Sequence, residues 1–181
     1  MTSIVKGRPK VPWRIIGWGG AAALLLVPLV ANAPWSLSDY IFGAAVFATV
    51  GGTFGLAVSK SGNAWYRGGV AAALATAFLL VWINGAVGII GNEVNPANLM
   101  FLGIIGVAVV GAVIARFEAA GMARAMAVTA LAESLVGVIF FFARPGATEP
   151  PDLPGVLVPI GLFALAWLLS AWLFRKAART K

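Results

Sequence analysis

The chain has 181 residues, of which 10% are charged and 61% hydrophobic, with a net charge of +7 and a mean hydropathy of +0.95. A soluble domain carries about 25% charged residues and could not cover its surface with so few, so the composition is that of an integral membrane protein. Cys and His are both absent, which excludes disulfide scaffolds, thiolate nucleophiles, Cys/His zinc sites, His-ligated haem, Cys-ligated iron–sulfur clusters and any Ser-His-Asp or Cys-His mechanism.

Six continuously apolar runs match the length of about 20 residues that a bilayer core of roughly 30 Å requires. They lack the alternation of a β-barrel. In lipid each backbone polar group must be satisfied within its own segment, so the expected fold is all-α, a six-helix membrane bundle. A basic arm, residues 1–14, holds Lys6, Arg8, Lys10 and Arg14. A single transmembrane domain, residues 15–174, follows, and a basic tail, residues 175–181, closes the chain.

The first span is expected at 15–33, with Pro28 as a kink. Residues 1–33 also resemble a secretory signal, with Ala31-Asn32-Ala33 as a cleavage pattern. The long apolar stretch and Pro34 directly after the cut favour an uncleaved span. The second span is expected at 40–58. It carries Gly51-x-x-x-Gly55, a spacing that lets two backbones approach closely. Asp39 sits near its start, where a carboxylate favours the helix dipole. Thr49 and Thr53 are read as bonding to carbonyls one turn back.

The third span is expected at 69–91, with Asn84, Gly88 and Asn92 on one face and Gly85, Gly88 and Gly91 as packing positions. Asn95 or Asn98 is expected to cap the fourth span, 97–115, with Pro96 in its first turn. Gly103, Gly106 and Gly111 offer a further tight face. The fifth span is 125–143. An extended outer loop from Arg144 to Pro154, rich in proline, leads to the sixth span, 155–174, which contains Pro159.

Charge sets the orientation. With the N-terminus inside, the arm, Lys60 and Arg67, Arg116 and Arg124, and the tail all face the cytoplasm, and Arg144 alone of the basic residues falls outside. The positive-inside rule therefore predicts N-in/C-in and an even number of spans. The basic residues flank apolar runs and build no groove for nucleic acid. Trp13, Trp18, Trp35, Tyr40, Trp65, Tyr66, Trp172 and Phe174 fall near span ends, at headgroup level.

Glu133 is the most informative polar residue. It lies about 14 Å from Arg124 and about 16 Å from Arg144 along a helix, near the midplane. A carboxylate there is unfavourable by roughly 3 kcal/mol, so it should face the bundle interior. Thr129 and Gly137 share its face. One reading makes Glu133 a proton- or substrate-coupling group, with Asn84 as a second polar group. The other makes it a protonated side chain that hydrogen-bonds between helices. The candidate intramembrane polar site is Glu133, Asn84 and Thr129. The sequence calls for no cofactor and no metal.

The stretch Trp82-Ile83-Asn84-Gly85-Ala86-Val87-Gly88-Ile89-Ile90-Gly91, with Glu93 and Asn95-Pro96-Ala97-Asn98, is distinctive. So are Ser61-Gly62-Asn63-Ala64-Trp65-Tyr66-Arg67, Ala115-Arg116-Phe117 and Gly121-Met122-Ala123-Arg124. Over most of residues 35–142 the chain resembles an uncharacterised family of small polytopic inner-membrane proteins of Gram-negative bacteria. The resemblance implies a bacterial plasma-membrane location and carries over no functional residues.

An accessory or structural membrane component is the expected function. It would be partnered by lipid and by another membrane protein or a second copy through the Gly-rich faces. A small transporter or channel component using Glu133 is the alternative; it lacks a visible inverted repeat or charged pathway. A membrane enzyme is disfavoured, because no paired titratable groups are evident.

Overall fold

The computed structural model describes residues 13–143 and 152–180. The basic arm through residue 12, residues 144–151 of the expected outer loop and the last residue of the tail lie outside the described residues. Among the described residues the chain is all-helical, without strands. Its six α-helices are α1 (Trp13–Val30), α2 (Leu37–Lys60), α3 (Ala64–Ala86), α4 (Leu99–Ile114), α5 (Ala119–Ala143) and α6 (Leu153–Arg179). Helices α2, α3, α5 and α6, and α4 together with the turn before it (Pro96–Ile114), are long and apolar enough to cross a membrane, whereas the apolar stretch of α1, Gly17–Val30, is shorter.

The chain divides into two compact units, Met1–Gly52 and Thr53–Lys181. In the first, Leu25 of α1 closes on Gly43 of α2, where a Cβ would lie 2.9 Å from the leucine methyl. The Trp18 ring covers Gly51 in the same way. Ser36 and Asp39 start α2: the Ser36 N–H and hydroxyl both donate to the Asp39 carboxylate, each at 2.7 Å, which ties the turn to the first helical residues. Trp35 and Tyr40 meet edge to face at 5.3 Å.

In the second unit α6 packs against both α3 and α5, and α4 packs against α5. Leu80, Phe101, Met126, Phe140, Ile160, Trp167 and Phe174 fill the interior. The opposite faces expose Leu131, Leu135, Leu162, Leu165 and Phe142. An apolar surface of that extent is unsuited to water and matches hydrocarbon, which is the physical signature of a multi-pass membrane protein.

Side-chain amides move the ends of α3 away from the expected 69–91. Asn63 accepts from the N–H groups of Trp65 at 2.9 Å and Tyr66 at 3.2 Å, so the helix begins at Ala64. It ends at Ala86 because Gly88 and Gly91 take φ values of +72° and +71°, a region open to glycine. The expected Asn84–Gly88–Asn92 helical face therefore does not form. Among the described residues nothing packs against Gly85, and Gly88 lies against the Asn92 backbone inside the turn, where it meets no other helix.

Other glycines sort similarly. Gly111 approaches Ala125, where a Cβ would lie 2.9 Å from the alanine methyl, and Gly137 packs against Ile160. Among the described residues nothing lies against Gly55, Gly103 or Gly106. Helix α6 starts on Asp152, whose carboxylate accepts the Gly155 N–H at 3.0 Å, and continues through Pro159.

Candidate functional site

Glu133 lies midway along α5, and Thr129 and Gly137 occupy the same face one turn to either side. Both Glu133 and Thr129 are fully buried, at 0% exposure. Burial follows from the helix pairing: Gly137 on this face packs against Ile160 of α6. Thr129 does not bond to Glu133. Its hydroxyl donates to the Ala125 carbonyl at 2.9 Å.

The polar group that reaches Glu133 comes from α6. The Trp167 indole faces the carboxyl, yet neither carboxyl oxygen nor the indole N–H completes a hydrogen bond of good geometry. An indole N–H is a donor only, while a protonated carboxyl can both accept and donate. The two groups are therefore chemically complementary: an N–H···O bond between them would leave a carboxyl oxygen to spare.

Other hydroxyls of the bundle are already engaged. Thr76 donates to the Ala72 carbonyl at 2.7 Å and Ser134 to the Ala130 carbonyl at 2.9 Å. Ser170, fully buried one turn from Trp167's face, donates across helices to the Gly69 carbonyl at 2.8 Å. A groove of about 330 Å³ runs along the outside of α5 and α6 over Ser134, Gly137, Phe141, Leu157, Ile160 and Gly161. Glu133 is not part of its lining.

Asn84 belongs to a different assembly, the turn between α3 and α4. Its side-chain N–H₂ donates to the Asn98 carbonyl at 3.2 Å, and its Oδ1 is buried without a partner. Asn98 organises that turn. Its Oδ1 accepts from the N–H groups of Ile89 at 3.3 Å and Ile90 at 2.9 Å, and its N–H₂ donates to the Ile90 and Asn92 carbonyls. Asn95, rather than Asn98, makes the side-chain cap, accepting the Ala97 N–H at 2.9 Å before Pro96. Glu93 is exposed on the same turn.

The structure thus joins Glu133 to Trp167 and leaves Asn84 to the turn. Trp167 and Ser170 were not distinguished by sequence reasoning. One signal pointed to Trp167: tryptophan favours the headgroup level, and this one stands inside an apolar span with an N–H that needs a partner. Comparison of the chain with protein-family models, with curated proteins and with solved structures finds no match.

Proposed function

We propose that this chain is a non-catalytic, multi-pass accessory or structural component of the bacterial inner membrane, with six spans and both termini in the cytoplasm. The observation that carries this reading is that the buried hydroxyls of the bundle are already engaged. The buried hydroxyls of Thr76, Thr129 and Ser170 are each engaged by a backbone carbonyl, and among the described residues the polar group beside the Glu133 carboxyl is the Trp167 indole, with Glu133 absent from the lining of the nearby groove. The Ser170 bond joins α6 to α3, the two threonine bonds stay within their own helices, and none of the three hydroxyls is left free to serve a solute. Helix α1 supports the sixth span, since its 18 residues rise about 27 Å. The distribution of basic residues supports the orientation. The open glycines Gly103 and Gly106 of α4 provide a surface for a membrane-protein partner or a second copy.

A second reading makes Glu133 a proton- or substrate-coupling carboxyl in a small transporter or channel component. Its two unpartnered oxygens favour it. Glu133→Gln separates the two readings. The accessory reading expects normal membrane level and normal association with partners on gentle purification. Loss of a pH-dependent transport activity at normal protein level would establish the coupling reading instead. Mass spectrometry of the material co-purifying from native membrane then identifies a stoichiometric partner.

A further inference from the structure

One end of the second unit is built from the starts of α3 and α5 and the ends of α4 and α6. Three contacts lock it. The Asn63 amide donates to Thr180 Oγ1 at 3.0 Å and to the Ala177 carbonyl at 3.4 Å, so the residue that caps α3 also holds the end of α6. Trp65 and Trp172 meet edge to face at 5.8 Å. Tyr66 donates its hydroxyl to the Phe117 carbonyl at 2.8 Å and packs on Phe174.

This end is strongly basic. Arg116, Arg124, Arg175 and Arg179 are exposed, and among the described residues none of them forms an ion pair or hydrogen bond. Arg175 and Arg179 stand one turn apart on the same face of α6. Arg67 differs, since it donates to the Ser61 and Val58 carbonyls. Lys176 is held over the Trp172 ring, 5.5 Å from its centre. Glu118 is the one acid at this end among the described residues. Trp65 and Trp172 are 42% and 47% exposed, as amphipathic rings at the headgroup level are.

We propose that this end of the bundle is a binding surface for the headgroup of an anionic phospholipid. Arg175 and Arg179 take the phosphate, and the Trp65–Trp172 pair seats the glycerol and first acyl carbons. Guanidinium forks match phosphate oxygens, and clustered basic residues beside a membrane span attract anionic lipid. Orientation by positive charge accounts for arginines at this end. It does not account for an indole pair clamped across two helices with an ammonium laid on it. A free phosphate would use the arginines without the rings, so the exposed tryptophans favour lipid.

The test uses the full chain in a non-ionic detergent. Its thermal unfolding is followed with added phosphatidylglycerol, phosphatidylcholine or inorganic phosphate. Phosphatidylglycerol should raise the midpoint more than phosphatidylcholine, and inorganic phosphate should not reproduce the effect. Arg175→Gln with Arg179→Gln should weaken the apparent lipid affinity about fivefold for each residue. In the unmodified protein the preference should shrink as salt rises, because the guanidinium groups are exposed. Equal shifts with both lipids, a full effect from phosphate alone, or a preference indifferent to salt would each overturn the proposal. The salt series decides it even if the double variant does not fold.

Discussion

Ser170 of α6 donates a 2.8 Å hydrogen bond to the Gly69 carbonyl of α3, and one turn further along α6 the Phe174 ring closes on the same glycine. A Cβ at Gly69 would lie 3.0 Å from that ring, and Phe174 is fully buried with little room to withdraw. The α3–α6 seam therefore depends on a missing side chain as much as on a bond. Gly69→Ala should destabilise by about 1–3 kcal/mol through overpacking. Ser170→Ala should lose about 0.6 kcal/mol, a typical interhelical bond in a membrane protein. Thermal unfolding in detergent measures both; an undisturbed Gly69→Ala variant would mean that the helices are not in this close contact.

Helix positions were legible in the sequence because apolar runs of span length leave the backbone few alternatives. The ends of α3 were not, since they depend on what Asn63 and two left-handed glycines do locally. A hydropathy pattern weighs neither. The midplane depth of Glu133 and the cost of a charge there pointed to an interior position. Its neighbour could not be read, because span lengths do not say which helix faces which. Asn84 looked like a second member of the same site because it too is polar within an apolar run. The turn itself was expected from the Asn- and Pro-rich stretch 91–98; what Asn84 bonds to in it becomes visible only once Asn98 is seen folded back onto Ile89 and Ile90.

The Glu133–Trp167 contact predicts energetic coupling between α5 and α6. Removing either group leaves the other buried with one fewer potential partner, which is unfavourable by about 1–3 kcal/mol. Replacing both with apolar groups of similar shape removes that penalty. Glu133→Leu and Trp167→Phe should each lower stability, while the double variant should fall short of their sum by about 1 kcal/mol. Strict additivity in a double-mutant cycle would show that the carboxyl and the indole do not interact.

The α3–α4 turn should fail at two positions for different reasons. Gly88→Ala introduces a Cβ into the Asn92 backbone at φ +72°, so backbone strain and a clash combine to about 2 kcal/mol or more. Asn98→Leu keeps the bulk but removes four hydrogen bonds to the main chain of Ile89, Ile90 and Asn92. Asn98→Asp retains the two accepted bonds but sets an acceptor oxygen against the Ile90 and Asn92 carbonyls, so it should keep the Ile89 and Ile90 amides better protected than leucine does while still destabilising the turn. Hydrogen exchange at the Ile89 and Ile90 amides reads this directly. Both should be protected in the wild type and exchange fastest in the leucine variant.

The opposite turn, between α4 and α5, stores strain that can be relieved. Arg116 and Phe117 hold φ values of +49° and +59° in succession, a region in which an L side chain is unfavourable by roughly 1–2 kcal/mol. Phe117 is 55% exposed, so its ring returns little packing energy. What fixes it is its carbonyl, which accepts the Tyr66 hydroxyl at 2.8 Å and so pins the turn to α3. Glycine keeps that carbonyl and removes the steric conflict, at the expense of a more flexible unfolded chain. Phe117→Gly should therefore be neutral or stabilising by up to about 1 kcal/mol, whereas Tyr66→Phe should destabilise by about 1 kcal/mol. Equilibrium unfolding of the two variants tests the pair. A clear loss of stability in Phe117→Gly would place the ring in a contact worth more than the strain.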